Sequence, residues 1–97
     1  MHQNYHYLLP LYKKAARAGN SYAQNNLAVC YERGEYVSVD LKKAVRLYAT
    51  AAKAGNPHAM YNLARCYDKG IGVEKDKEKA KQFYVMAATM MNKDKNK

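Results

Sequence analysis

Shifted by 36 residues, the chain lies over itself: between Leu11–Ala52 and Leu47–Ala88, 21 of 42 positions carry the same residue. Leu11-Tyr12 recurs as Leu47-Tyr48, Ala15 to Asn20 as Ala51 to Asn56, and Asn26 to Gly34 as Asn62 to Gly70. Val37, Asp40, Lys43 and Ala44 return as Val73, Asp76, Lys79 and Ala80. A period between about 20 and 50 residues marks supersecondary units that bury their apolar faces only by stacking on one another. This internal repeat constrains the fold more than any single motif does.

Helical spacing fills the period. Ala23, Leu27, Cys30 and Tyr31 fall at i, i+4, i+7 and i+8, one stripe of a helix predicted over Ser21 to Arg33. Asn20 is placed to cap its start and Gly34 to stop it. The copy begins at the N-cap Asn56 with Pro57 in the first helical position, where a missing N–H costs nothing, and ends at Gly70. A second helix per repeat starts after Asp40 and buries Ala44, Leu47, Tyr48, Ala51 and Ala52. Its copy starts after Asp76 and buries Ala80, Phe83, Tyr84, Ala87 and Ala88. Ahead of these, Pro10 aligns with mid-helix positions Arg46 and Gln82, so the first helix starts close to Pro10 or kinks there. Gly19 ends it. The expectation is an all-α domain of five helices and about two and a half repeats over residues 1–91, divided as 1–20, 21–56 and 57–91. A lysine-rich, disordered tail covers 92–97.

The letters resemble the Sel-one-like repeat family, short-helix relatives of the tetratricopeptide repeats. Ala59, Leu63, Tyr67, Gly70, Gly72, Val73, Asp76, Lys79, Ala80, Phe83, Tyr84, Ala87 and Ala88 match its spaced pattern, and the match spans about Leu11 to Met90. Ala28 and Ala64 replace a glycine after leucine but stay small. Tyr36 replaces the second loop glycine, so the first loop is expected to follow a different path from Gly70-Ile71-Gly72-Val73. What the resemblance implies is an α/α superhelix, a solenoid that acts as an adaptor and holds a partner protein or peptide in a groove lined by the first helix of each repeat. It implies no catalysis and no cofactor. Members of such a family serve bacterial signalling, host interaction, toxin neutralisation and protein quality control.

Away from its core stripe the first helix of each repeat presents one further face. There Tyr22, Asn25, Asn26, Val29, Glu32 and Arg33 collect, and His58, Tyr61, Asn62, Arg65, Asp68 and Lys69 in the copy. Tyrosine and arginine are enriched among binding hot spots, which makes Tyr22, Asn25, Val29, Arg33, His58, Tyr61, Arg65, Asp68 and Lys69 the candidate partner-binding set. The competing reading is a solvated helix face. Asn26 and Asn62 recur in both repeats, which suits a structural hydrogen bond better. Tyr12, Tyr31, Tyr48, Tyr67 and Tyr84 occupy repeated core positions, whereas Tyr5, Tyr7, Tyr22, Tyr36 and Tyr61 have no copy and are free to face outward. On the last helix Phe83, Met86 and Met90 form an apolar stripe that no later repeat in the chain covers. It is a candidate edge for self-association or partner docking, set against a fold-back onto the same repeat.

The formal charge of +9 favours acidic partners in general. A rival reading therefore places nucleic acid or an anionic surface against Lys13, Lys14, Arg17, Lys42, Arg46, Lys53, Lys77 and Lys81. These cations are scattered and lack interleaved aromatics, which favours ordinary solvated surface. His2, His6 and His58 form no metal-ligand spacing, and Gly70-Ile71-Gly72 ends a helix rather than opening one, so neither a metal site nor a phosphate cradle is read. No apolar run reaches the roughly 20 residues of a membrane span and no basic segment precedes Tyr7 to Tyr12, so neither anchor nor signal peptide is expected. Cys30 and Cys66 stand in equivalent places of successive repeats, too far apart to bridge, and suit a reducing, cytoplasmic setting.

Overall fold

The computed structural model describes residues 7–95, and within them every regular element is a helix. They are α1 (Leu8–Arg17), α2 (Ser21–Arg33), α3 (Leu41–Lys53), α4 (Pro57–Lys69) and α5 (Lys77–Lys95). Each packs on its sequence neighbours, α1 on α2, α2 on α3, α3 on α4 and α4 on α5.

Local chemistry sets the helix ends. Asn20 Oδ1 accepts the Ala23 N–H at 3.0 Å, and Asn56 Oδ1 accepts from His58 and Ala59 at 2.9 and 3.3 Å. Asp40 and Asp76 take the N–H groups of Lys43 and Lys79, each at 3.0 Å. Each such cap is worth about 1 kcal/mol. Helices α2 and α4 end at Gly34 and Gly70, both left-handed. Helix α1 begins two residues before Pro10, which falls in the first turn, where backbone N–H groups have no intrahelical partner to lose.

The core runs through all the interfaces. Leu27, Tyr31, Val45, Tyr48, Met60, Leu63 and Cys66 are buried among alanines 28, 44, 51, 52 and 59, whose small side chains let the helices approach. Tyr48 and Cys66 are the largest fully buried side chains. Leu47 is only half-buried. In the second repeat Phe83 and Tyr84 are half-buried and Ala88 is exposed, against the expectation that α5 would bury them all. Helix α3 is sandwiched between α2 and α4, whereas α5 packs chiefly on α4.

Two further expectations differ from the structure. Tyr36 does not reroute its loop: it adopts φ 67°, close to the 70° of Gly72, and the same closing bond forms in both repeats, Asp40 N–H to Tyr31 O and Asp76 N–H to Tyr67 O at 2.9 Å. The tyrosine accepts a left-handed backbone that costs about 1–2 kcal/mol. At Gly72 there is also no space, since a Cβ would lie 2.5 Å from the Leu41 carbonyl oxygen. Helix α5 also continues to Lys95, past the residue where a disordered tail was placed, because no glycine or proline follows Lys77 to stop it. Tyr5, His2, His6 and residues 96–97 lie outside the described residues.

Candidate functional site on the face shared by α2 and α4

Asn20 and Asn56 start α2 and α4 in the same register, so their equivalent faces lie side by side and a polar ladder joins them. Asn62 Nδ2 donates to Asn25 Oδ1 at 3.0 Å. One turn and more along, Arg65 Nη2 donates to Glu32 Oε1 at 2.7 Å, and Tyr48 Oη on α3 donates to the same oxygen at 2.8 Å. Glu32 therefore ties three helices together. The second repeat copies part of this node: Tyr84 Oη donates to Asp68 Oδ2 at 3.3 Å, and Lys77 Nζ reaches Asp68 Oδ1 at 2.6 Å.

The electrostatics follow from these partners. Burial alone would raise the Glu32 carboxyl, but the hydrogen bonds from Arg65 and Tyr48 and the guanidinium charge outweigh it, and the net direction is downward. Tyr48 is held neutral by burial and by donating to Glu32. Arg65 is raised by its bond to that carboxylate. Lys77 holds the Asp68 carboxyl low against a smaller opposing effect of burial. Cys30 and Cys66 are free and buried; burial first, then the nearby acid, pushes the Cys66 thiol up to about 11, which makes it a poor nucleophile.

Of the candidate residues, the structure leaves Tyr22, Arg33, His58, Tyr61 and Lys69 exposed, with Tyr22 at 63% and Tyr61 at 48%. Val29 is half-buried against the core. Asn25, Arg65 and Asp68 are engaged within the chain, and so form the floor of the face rather than its free groups. Asn62 makes the structural bond expected of it, to Asn25 rather than to Asn26, which stays exposed. Tyr61 also leans on Tyr84, ring centroids 5.5 Å apart and tilted by 58°, which restricts its rotamers.

On α5, Phe83 stacks on Tyr67 at 6.0 Å and both Phe83 and Met90 pack against the core, while Met86 is 45% exposed. The stripe is thus split between fold-back and exposure. Sequence reasoning did not find the Glu32–Tyr48–Arg65 node, although its signal was present: an acid recurs at 32 and 68, and a tyrosine at 48 and 84. It also missed the stacking of Lys43 and Lys79 over the Tyr31 and Tyr67 rings, at 4.9 and 5.1 Å, two more repeated pairs. Among the described residues no group of three or more His, Cys, Asp or Glu side chains is placed to hold a metal ion, and no helix is long and apolar enough to cross a membrane.

The model of the Sel1 repeat matches the chain at residues 11–20, 21–56 and 57–90. Among solved structures, the chain is similar to a protective antigen of uropathogenic Escherichia coli with an SLR fold, at 36% identity and TM-score 0.86 over 90% of this chain and 19% of that one. It is also similar to a Sel1 repeat protein from Oxalobacter formigenes, at 32% identity and TM-score 0.84 over 93% of this chain and 37% of that one. Cysteine rich protein B of Helicobacter pylori shares 26% identity and TM-score 0.84, over 91% and 66% respectively. The chain thus spans less than two thirds of each of these relatives. No curated protein matches it significantly. Repeat period, helix order and matched residues agree, and the chain belongs to the Sel1 repeat family.

Proposed function

We propose that the chain is a non-enzymatic protein-interaction module that holds a partner protein or peptide on the face shared by α2 and α4. The observation that carries this reading is the pairing of exposed Tyr22 and Tyr61 with a floor whose polar groups are already bonded to one another. A floor that has satisfied its own hydrogen bonds is pre-organised and loses little freedom on binding, while two large aromatic rings supply area to bury. His58, Arg33 and Lys69 give the rim polar and cationic groups. The free thiols suit a reducing compartment, which favours the cytoplasm; the similar structures come from bacteria, and a role in signalling, host interaction or toxin neutralisation is what the family resemblance implies.

The test starts from a partner recovered by affinity capture and mass spectrometry, then produced pure. A Tyr22→Ala, Tyr61→Ala variant should lose about tenfold or more in affinity, as hot-spot truncations do, with its helical spectrum unchanged. Lys81→Ala should bind like wild type. The opposite pattern, with a steep loss of affinity as salt rises, would transfer the function to the basic surface.

A further inference from the structure

We propose that a second docking site lies in the groove between α1 and α3, on the opposite side of α2, and that it takes an extended acidic segment of a partner protein. Helices α1 and α3 both pack on α2 and stand apart above it, leaving a cavity of about 350 Å³. That is near the low end of the roughly 300–1,000 Å³ of small-ligand sites, room for a short stretch of chain but not for a helix. Leu27 and Tyr31 of α2 form its floor and Leu47 one wall. By helical spacing Gln24, Leu27 and Tyr31 project away from Asn25, Val29 and Glu32, so this groove and the face with Tyr22 and Tyr61 are separate surfaces.

Three observations define the occupant. Lys13, Arg17 and Lys43 line the groove and no acidic residue does. Lys43 is held by the Tyr31 ring at 4.9 Å, while Lys13 and Arg17 have no ion pair or side-chain hydrogen bond among the described residues. Gln24, also in the lining, is 93% buried; its Nε2 donates to the Ala16 carbonyl at 3.2 Å, but its Oε1 is buried with no donor among the described residues. A buried acceptor without a donor is destabilising, and a backbone N–H of an entering chain is the group that would satisfy it. The other repeat shows that the fold does not need this arrangement. Displaced by 36 residues, Gln24 becomes Met60, Lys13 becomes Ala49 and Thr50 becomes Met86, so apolar groups replace these three polar ones, while Arg17 and Lys43 persist as Lys53 and Lys79. An extended peptide with one apolar side chain on Leu27 and Leu47, carboxylates toward the three cations and an N–H toward Gln24 fits the groove's chemistry.

Fluorescence anisotropy with a labelled pentapeptide, a central leucine flanked on each side by two acidic residues, tests the assignment at about 0.1 M salt, where long-range attraction is largely screened. Wild type should bind it, and should not bind the lysine-flanked counterpart. Lys13→Ala, Arg17→Ala should weaken binding about tenfold. Gln24→Met, which alters no charge and installs the residue found in the other repeat, should weaken it about fivefold without lowering the melting temperature. Lys75→Ala, Lys81→Ala removes the same charge elsewhere and should bind like wild type, as should Tyr22→Ala, Tyr61→Ala. No binding by wild type, unchanged affinity in Gln24→Met, or equal losses in the two double-lysine/arginine variants would overturn the proposal. So would tighter binding of a duplex DNA competitor.

Discussion

Replacing Glu32 by alanine removes the one acceptor shared by Tyr48 and Arg65, and the structure sets what that costs. Tyr48 is fully buried, so its hydroxyl has no route to water; an orphaned buried hydroxyl costs about 1–3 kcal/mol. The Arg65 side chain keeps 26% exposure and Glu32 15%, which places their ion pair between a surface pair, worth about 0–1 kcal/mol, and a buried one, whose breakage costs about 3–5. The guanidinium regains part of its hydration, so about 1 kcal/mol is the appropriate share, and the better helix propensity of alanine returns a few tenths. The sum is a loss of about 2–4 kcal/mol from a total of roughly 5–15. For a domain of this size that lowers Tm by about 10–20 °C. Urea unfolding followed by the helical circular dichroism signal would measure it. Asp68→Ala is the internal control: it makes the same bond to Tyr84, but Tyr84 is half-buried and Lys77 70% exposed, so water replaces the carboxylate and the loss should be clearly smaller. Adding Tyr48→Phe to Glu32→Ala should cost less than the two separate losses together, since the orphaned hydroxyl is then gone. Equal losses for Glu32→Ala and Asp68→Ala, or strict additivity with Tyr48→Phe, would refute the claim that Glu32 is the node.

The same carboxylate makes stability depend on pH. Its folded pKa lies below the ordinary value, so the unfolded chain takes up the proton first; the contribution is complete above the unfolded pKa of about 4.3 and is lost as pH falls through the lower folded value. Wild type should therefore exceed Glu32→Gln in stability at neutral pH, and the two curves should converge in acid; a gap that persists there would place the effect elsewhere. Gly72→Ala should cost more than the roughly 1–2 kcal/mol of a left-handed alanine, because its Cβ also meets the Leu41 carbonyl, whereas Tyr36→Gly should hold or raise stability. Equal losses in thermal melts would remove the steric part of that argument. If the exposed edge of α5 pairs two copies, light scattering over a concentration series should show a dimer that Met86→Lys returns to monomer; a wild type that stays monomeric at high concentration removes that role.

The sequence by itself determined the helices and their ends. Asn20, Asp40, Asn56 and Asp76 cap the helices through bonds two or three residues away, and Gly34 and Gly70 stop them through their own φ; such interactions are local, so the pattern of letters carries them. The lack of a repeat copy at Tyr22 and Tyr61 also marked them as outward-facing. Which side chains meet across helices was decided only by the tertiary structure. Arg65 and Asp68 look like free charges on a helical wheel, yet one closes on Glu32 from 33 residues away and the other on Lys77 across a loop. Ala52 is buried and its copy Ala88 exposed because α3 has a helix on either side whereas α5 has α4 on one. Gln24 and Met60 are the same position to the repeat and different to the fold, because the gap between α1 and α3 leaves one of them with an acceptor that none of the described residues satisfies. Periodicity sets the direction of a side chain from its helix, while the spacing of neighbouring helices sets what it reaches.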